Sequence, residues 1–153
     1  MVHRLAITLA LLAGLTLVAW ADAGPPEIDV FVNAATGVTR LSSSELAEIY
    51  NGSRLTWSLG KGITAFNLAT SSPLRVEFDH VVLHMSPDEV GRYWIDQRIR
   101  GGGRPPRQVD EGAVVAKLVA RLPGSIGYAP AGTAIPSDVR VVARIRNRNV
   151  VEP

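Results

Sequence analysis

The chain has 153 residues, and its 16 lysine and arginine residues nearly balance its 14 acidic residues. A net charge of +2 is too small to indicate a nucleic-acid partner. The sequence contains no cysteine, which excludes disulfides, thiolate metal sites and a lipid-modified N-terminal cysteine.

The first 23 residues have the pattern of a secretory signal peptide. Arg4 precedes an unbroken apolar or small run over residues 5–20, and residues 21–23 have the small-x-small form that signal peptidases accept. A membrane anchor is the alternative, but the run is shorter than the roughly 20 apolar residues of a spanning helix. The pattern predicts a cleaved signal peptide over 1–23, a periplasmic or secreted protein, and no stable membrane insertion after cleavage.

A strand and a capped helix are predicted at the start of the remaining chain. Residues 27–32 alternate between polar and apolar side chains, which indicates a strand. Ser42 is followed three residues later by Glu45, and this spacing is the capping box that begins a helix. Asn51 and Gly52 tolerate positive φ and should end that helix.

The central part of the chain predicts a strand followed by two helices. Residues 63–68 form an apolar run that reads as a second strand. The next helix should begin at Ser71 or Ser72 with Pro73 in its first turn, where a missing N–H costs nothing. Residues 86–89 repeat the capping-box pattern and predict a third helix.

The C-terminal third begins with a loop, because residues 101–107 contain three glycines and two prolines. Asp110 is a candidate cap for a fourth helix over residues 111–122. Short strands are expected at residues 126–128 and 139–143.

Strands that alternate with helices predict a three-layer α/β domain with a mixed, largely parallel sheet. About 130 residues follow the predicted signal peptide, which is one domain's worth of chain. We therefore expect a single domain over residues 24–145. The arginine-rich residues 146–153 are expected to form a basic, solvated and partly disordered C-terminal tail.

The sharpest candidate site is the start of the second helix, at Thr70, Ser71, Ser72 and Arg75. A helix N-terminus offers unpaired N–H groups and a partial positive charge, so it can bind an oxyanion such as phosphate. In open α/β sheets such a turn also lies where ligands usually bind. The alternative is that the two serines only cap the helix. The basic loop over residues 98–107 could complete an anion site or dock an acidic partner.

Several motifs together resemble the periplasmic substrate-binding proteins of phosphate-type ABC importers, which have the type 2 periplasmic binding fold. The resemblance covers most of the chain after residue 23, but only about half of a two-lobed binding protein. It implies a short, single-lobe member that binds phosphate or another oxyanion and has an ABC permease as its partner. The positions that carry it are Leu41, Ser42, Leu46, Ile49, Tyr50, Gly52, Trp57, Ser72, Phe78 and residues 123–128.

The chain departs from the family pattern at the implied ligand site. Ser72 keeps the family's serine, but Pro73 stands where glycine is expected and Leu74 where threonine is expected. Leu68 occupies the position of the upstream arginine. These replacements remove a backbone donor, a hydroxyl and a guanidinium. The alternative hypothesis is therefore a ligand-free accessory or protein-interaction module that retains the fold.

No motif indicates an enzyme. The sequence has no cysteine nucleophile, no Gly-x-Ser-x-Gly element and no P-loop, so we expect no catalytic residues and no cofactor. His80 and His84 are four residues apart and could share a helix face. Without a His-Glu-x-x-His order, they indicate the polar face of an amphipathic helix rather than a metal site.

Overall fold

A computed structural model describes residues 24–153, and the predicted signal peptide over 1–23 lies outside them. None of the helices formed by residues 24–153 is long and apolar enough to span a membrane. The strands are β1 (Ile28–Asn33), β2 (Thr64–Leu68), β3 (Arg107–Val109), β4 (Ser125–Pro130), β5 (Val139–Arg146) and β6 (Asn149–Val151). The α-helices are α1 (Ser43–Tyr50), α2 (Pro73–Leu83), α3 (Pro87–Ile99) and α4 (Gly112–Arg121).

The strands form one six-stranded sheet in the order β3-β2-β4-β1-β5-β6. Strand β2 is parallel to both β3 and β4, whereas β1 is antiparallel to β4 and β5, and β6 is antiparallel to β5. Four strands, β2 to β5, therefore run in one direction, and β1 and β6 run against them. The predicted mixed, largely parallel sheet is confirmed.

The two faces of the sheet carry different helices. Gly127 and Tyr128 are neighbours on β4, so they face opposite sides of the sheet. The Tyr128 ring stacks on Phe78 of α2 with centroids 3.9 Å apart and meets Tyr50 of α1 edge-on. A Cβ atom on Gly127 would instead lie under 3.0 Å from Val115 of α4. Because α1 and α2 cover one face and α4 covers the other, the predicted three-layer α/β architecture is confirmed.

The helix boundaries follow from local side-chain chemistry. Ser42 and Ser86 each form a complete capping box at the start of α1 and α3, as predicted. Gly52 has a φ of +79° just after α1 ends, which explains why glycine follows the last turn. The predicted capping role of Asp110 is wrong, because the residue at the N-cap of α4 is Glu111 and it makes no side-chain capping hydrogen bond.

The C-terminal residues form a hairpin, so the predicted solvated and partly disordered tail is wrong. Strand β5 continues through Arg146, and Asn147 and Arg148 have φ values of 49° and 59° before β6 pairs back. Two consecutive left-handed residues are the geometry of a tight type I′ hairpin turn. Arg146 donates to Asp29 at 2.9 Å, and Arg148 contacts Glu77 at 3.3 Å. Both arginines contact carboxylates on other segments of the domain.

Candidate functional site

The start of α2 lies at the sheet edge where ligands of α/β proteins usually bind. Strands β2, β3 and β4 are mutually parallel, so their C-terminal residues, Leu68, Val109 and Pro130, share one edge. Helix α2 begins after β2, and α4 begins after β3 at the same edge. The fold therefore places the predicted oxyanion site at a suitable position.

The backbone at the start of α2 offers few free donors. The Ser72 hydroxyl accepts a hydrogen bond from the Arg75 N–H at 3.4 Å, so Ser72 is the N-cap. The Ser72 N–H donates to the Ala69 carbonyl at 2.9 Å. Pro73 has no N–H, which leaves the Leu74 amide as the free first-turn donor among residues 24–153. Within the first turn of α2, an anion would find one free backbone donor.

The Arg75 side chain turns back into the protein. Its exposed fraction is 7%, its Nε donates to Asp79 Oδ2 at 2.5 Å, and its Nη1 donates to the Leu68 carbonyl at 2.8 Å. Its Nη2 has no hydrogen-bond partner within the part of the chain that the structure describes. Arg75 therefore reaches the candidate site, but one carboxylate already neutralises much of its charge.

Asp79 is a candidate site residue that the sequence analysis did not identify. Its exposed fraction is 2%, and its Oδ1 has no hydrogen-bond partner among residues 24–153. Burial raises the pKa of the Asp79 carboxyl, and the neighbouring Arg75 guanidinium opposes that shift. The signal was present in the sequence, because Arg75 and Asp79 are four residues apart on one helix. A buried acceptor without a partner is unusual enough to mark this position.

Thr70, Arg75 and Asp79 open onto a cavity of about 260 Å³. The cavity lies between α2, α3 and the segment that precedes β3. Gln108 of β3 adds another polar group. The remaining lining is apolar apart from the backbone of Gly91, and its side chains are Val76, Pro87, Val90, Trp94, Pro105 and Pro106.

The structure brings only part of the predicted site together. Thr70 and Arg75 line the cavity, whereas Ser71 and Ser72 are not part of its lining. Thr70 and Ser71 are exposed, and Ser72 is half-buried as a cap. The predicted group therefore divides into a cavity pair and a capping pair.

The basic loop contributes to two neighbouring pockets. Pro105 and Pro106 form part of the apolar wall of the 260 Å³ cavity. Arg104 and Arg107 instead line a second pocket of about 170 Å³ together with Arg54, next to the start of β2. The arginines of the loop therefore do not complete the site at the start of α2.

A buried polar network supports the turn that carries the site. The Tyr128 hydroxyl donates to Asn67 Oδ1 directly behind the end of β2. The Leu68 N–H is 3.0 Å from the same oxygen. Burial raises the pKa of the Tyr128 phenol, so this group stays protonated and serves as a fixed donor. The network positions the backbone of the turn.

Trp57 and Gly124, two of the positions that carry the family resemblance, have a structural role away from the cavity. The Trp57 indole N–H donates to the Gly124 carbonyl at 2.9 Å. Gly124 has a φ of +90°, and a Cβ there would lie 2.6 Å from the Gly62 carbonyl oxygen. Trp57 and Gly124 therefore join the α1–β2 connection to the start of β4, which explains these residue types without any ligand.

Solved structures of phosphate receptors share this fold. An ABC-type phosphate transport receptor from Vibrio cholerae matches with a TM-score of 0.60 and 18% identity over 78% of this chain and 47% of the receptor. A Clostridium perfringens protein described as a phosphate ABC transporter substrate-binding protein, solved with bound phosphate, matches with a TM-score of 0.61 and 17% identity over 78% of this chain and 46% of its own. PstS from Borrelia burgdorferi matches with a TM-score of 0.55 and 19% identity over 70% of this chain and 42% of its own.

These likenesses confirm the resemblance at the level of the fold. The chain spans less than half the length of each of these three structures. The neighbours are transport receptors rather than enzymes. No protein-family model and no curated protein matches the sequence.

Proposed function

We propose that the chain is an exported, non-catalytic solute-binding lobe of the phosphate-receptor type, which binds phosphate or another small oxyanion at the start of α2. The observation that carries this proposal is the position of Thr70 and Arg75 in a cavity at the C-terminal edge of the parallel strands. The fold shared with phosphate receptors supports it. Export rests on the signal-peptide pattern of residues 1–23.

The charge at this site predicts weak binding by the lobe alone. Arg75 supplies the positive charge, but its Nε donates to Asp79, and this carboxylate partly neutralises the charge. The Thr70 hydroxyl lines the cavity and adds a neutral donor. Tight binding of an oxyanion requires that water be excluded on all sides, and one lobe gives a wall on one side only. A second copy or a separate chain would supply the other wall, and an ABC permease is the expected downstream partner.

A second candidate function is a ligand-free accessory or protein-interaction module. The observation that favours it is the burial of two positions at which this chain departs from the family pattern. Leu68 and Leu74 have exposed fractions of 3% and 9%, so both side chains belong to the core and not to a ligand surface. Arg75 Nε and Asp79 Oδ2 also pair with each other without a ligand.

Titration calorimetry separates the two functions. The full chain is expressed with its leader, purified from a bacterial periplasm, and titrated with inorganic phosphate and with sulfate. Saturable heat that is lost in Thr70→Val and kept in Ser71→Ala supports the oxyanion site, because Ser71 is exposed but outside the cavity. The absence of measurable binding heat with both anions at millimolar concentration would favour the accessory module.

The same preparation tests export. An intact mass that begins at Gly24 supports cleavage after residue 23, whereas a protein that retains its leader in the membrane fraction would contradict the signal-peptide prediction.

A further inference from the structure

The cavity beside Thr70 and Arg75 is larger and more apolar than a bare oxyanion needs. Its volume is about 260 Å³. A tetrahedral oxyanion with five heavy atoms takes the space of roughly three waters, or about 90 Å³. A bare anion at the polar end would leave the greater part of the cavity as water against apolar side chains, which is unfavourable.

The polar and apolar lining residues come mostly from different elements. Thr70, Arg75 and Asp79 belong to α2 and the turn before it, and Arg75 keeps its Nη2 free of partners among residues 24–153. The wall on α3 is formed by Val90, with an exposed fraction of 4%, and by half-buried Trp94. A ligand that fits this division has an anionic end and an apolar end.

We propose that the cavity takes an organic oxyanion, a tetrahedral sulfonate or phosphonate group that carries one compact apolar substituent. This inference rests on the proposed oxyanion site, and it names the substrate class of that site. The anionic oxygens contact Thr70 and Arg75, and the substituent lies against Val90 and Trp94. Because Asp79 shares the charge of Arg75, a group with one negative charge is accepted more readily than a dianion.

The first test is a chain-length series in calorimetry with sulfate, methanesulfonate and propane-1-sulfonate, and in parallel phosphate and propylphosphonate. Each buried methylene should tighten the Kd about fourfold, so propanesulfonate should bind about 15-fold more tightly than methanesulfonate. Comparing the Kd values of the sulfur compounds with those of the phosphorus compounds identifies which oxyanion the cavity prefers. 1-Propanol, which has the substituent without the charge, should bind far more weakly.

The second test uses a glycine that faces the cavity. Gly91 lies on α3 one turn from Pro87 and Trp94, and a Cβ there would meet no atom within 4 Å. Gly91→Leu should fill the space of the substituent and abolish the 15-fold preference. Gly91→Ala is the matched control, since it adds a single methyl and should keep most of the preference. Both changes replace glycine inside a helix, so neither should unfold the protein.

The outcomes separate this inference from the proposed function. Sulfate or phosphate binding with no effect of chain length would overturn the organic-ligand inference and leave the oxyanion site standing. No binding of any anion would overturn both. Equal affinity for 1-propanol and propanesulfonate, or an unchanged preference in Gly91→Leu, would also refute the inference.

Discussion

Gly127→Ala should destabilise the domain, because α4 lies directly on the backbone of β4 at this residue. The added Cβ would lie under 3.0 Å from Val115 and 3.3 Å from Val119, whereas carbon atoms in ordinary contact are about 3.5–4.0 Å apart. Both valines are fully buried, so they have little room to move. Overpacking of this kind costs about 1–3 kcal/mol of the free energy of unfolding.

A double-mutant cycle in urea denaturation checks the cause. Val115→Ala alone should cost roughly 2–3 kcal/mol, from two buried methyl groups and the cavity left behind. In the double variant the new methyl of residue 127 occupies part of that cavity, so the total loss should fall below the sum by about 1–2 kcal/mol. Gly91→Ala is the control and should stabilise α3 by about 0.5–1 kcal/mol, since its Cβ enters open space. Strict additivity of the two losses would refute a clash between β4 and α4.

Two further predictions concern the buried ion pair. Arg75→Met should cost about 3–5 kcal/mol because it leaves the Asp79 carboxylate buried without a cation, whereas Arg75→Met with Asp79→Leu should lose far less; equal losses in urea denaturation would contradict this. The pKa of Asp79 is raised above its usual 3.8 in the folded protein, so its contribution to stability should increase as pH falls from neutral through that folded-state pKa towards 3.8. Glu45 has a lowered pKa, so its contribution to stability is lost as pH falls below 4.5, which is the opposite sense. The pH dependence of the free energy of unfolding is therefore compared between the wild type and the double variant, because Glu45 is unchanged in both.

Local chemistry explains why the helix starts could be predicted from sequence. Ser42, Ser72 and Ser86 each hold the cap of a helix through atoms within three residues along the chain. A four-residue pattern is therefore sufficient to place these ends. The alternation of strands and helices then limits the architecture to a few layered arrangements, and the three-layer α/β domain is one of them.

The C-terminal hairpin could not be predicted in the same way. Residues 144–151 are rich in arginine. Strand β5 depends on pairing with β1, β6 depends on pairing with β5, and Arg146 and Arg148 contact carboxylates of distant segments. No local pattern carries that information. The same argument applies to the candidate site, since the start of α2 follows from Ser72 and Pro73, but the cavity exists only because α3 and Pro105 pack beside it. Tertiary packing, which brings these segments together, decides what the site can bind.

The central place of β1 in the sheet has a consequence for how the chain folds. β1 pairs on one side with β4 and on the other with β5, and Asp29 contacts Arg146 across 117 positions of sequence. Contacts of such high order form slowly, because the entropy of closing a long loop is lost before they are made. A nascent chain that ends before β5 keeps one long edge of the largely buried strand β1 without a partner, and it should be digested by a protease that spares the full chain. On the proposed export route, the domain would therefore stay unfolded, and able to cross a membrane, until β5 has been synthesised.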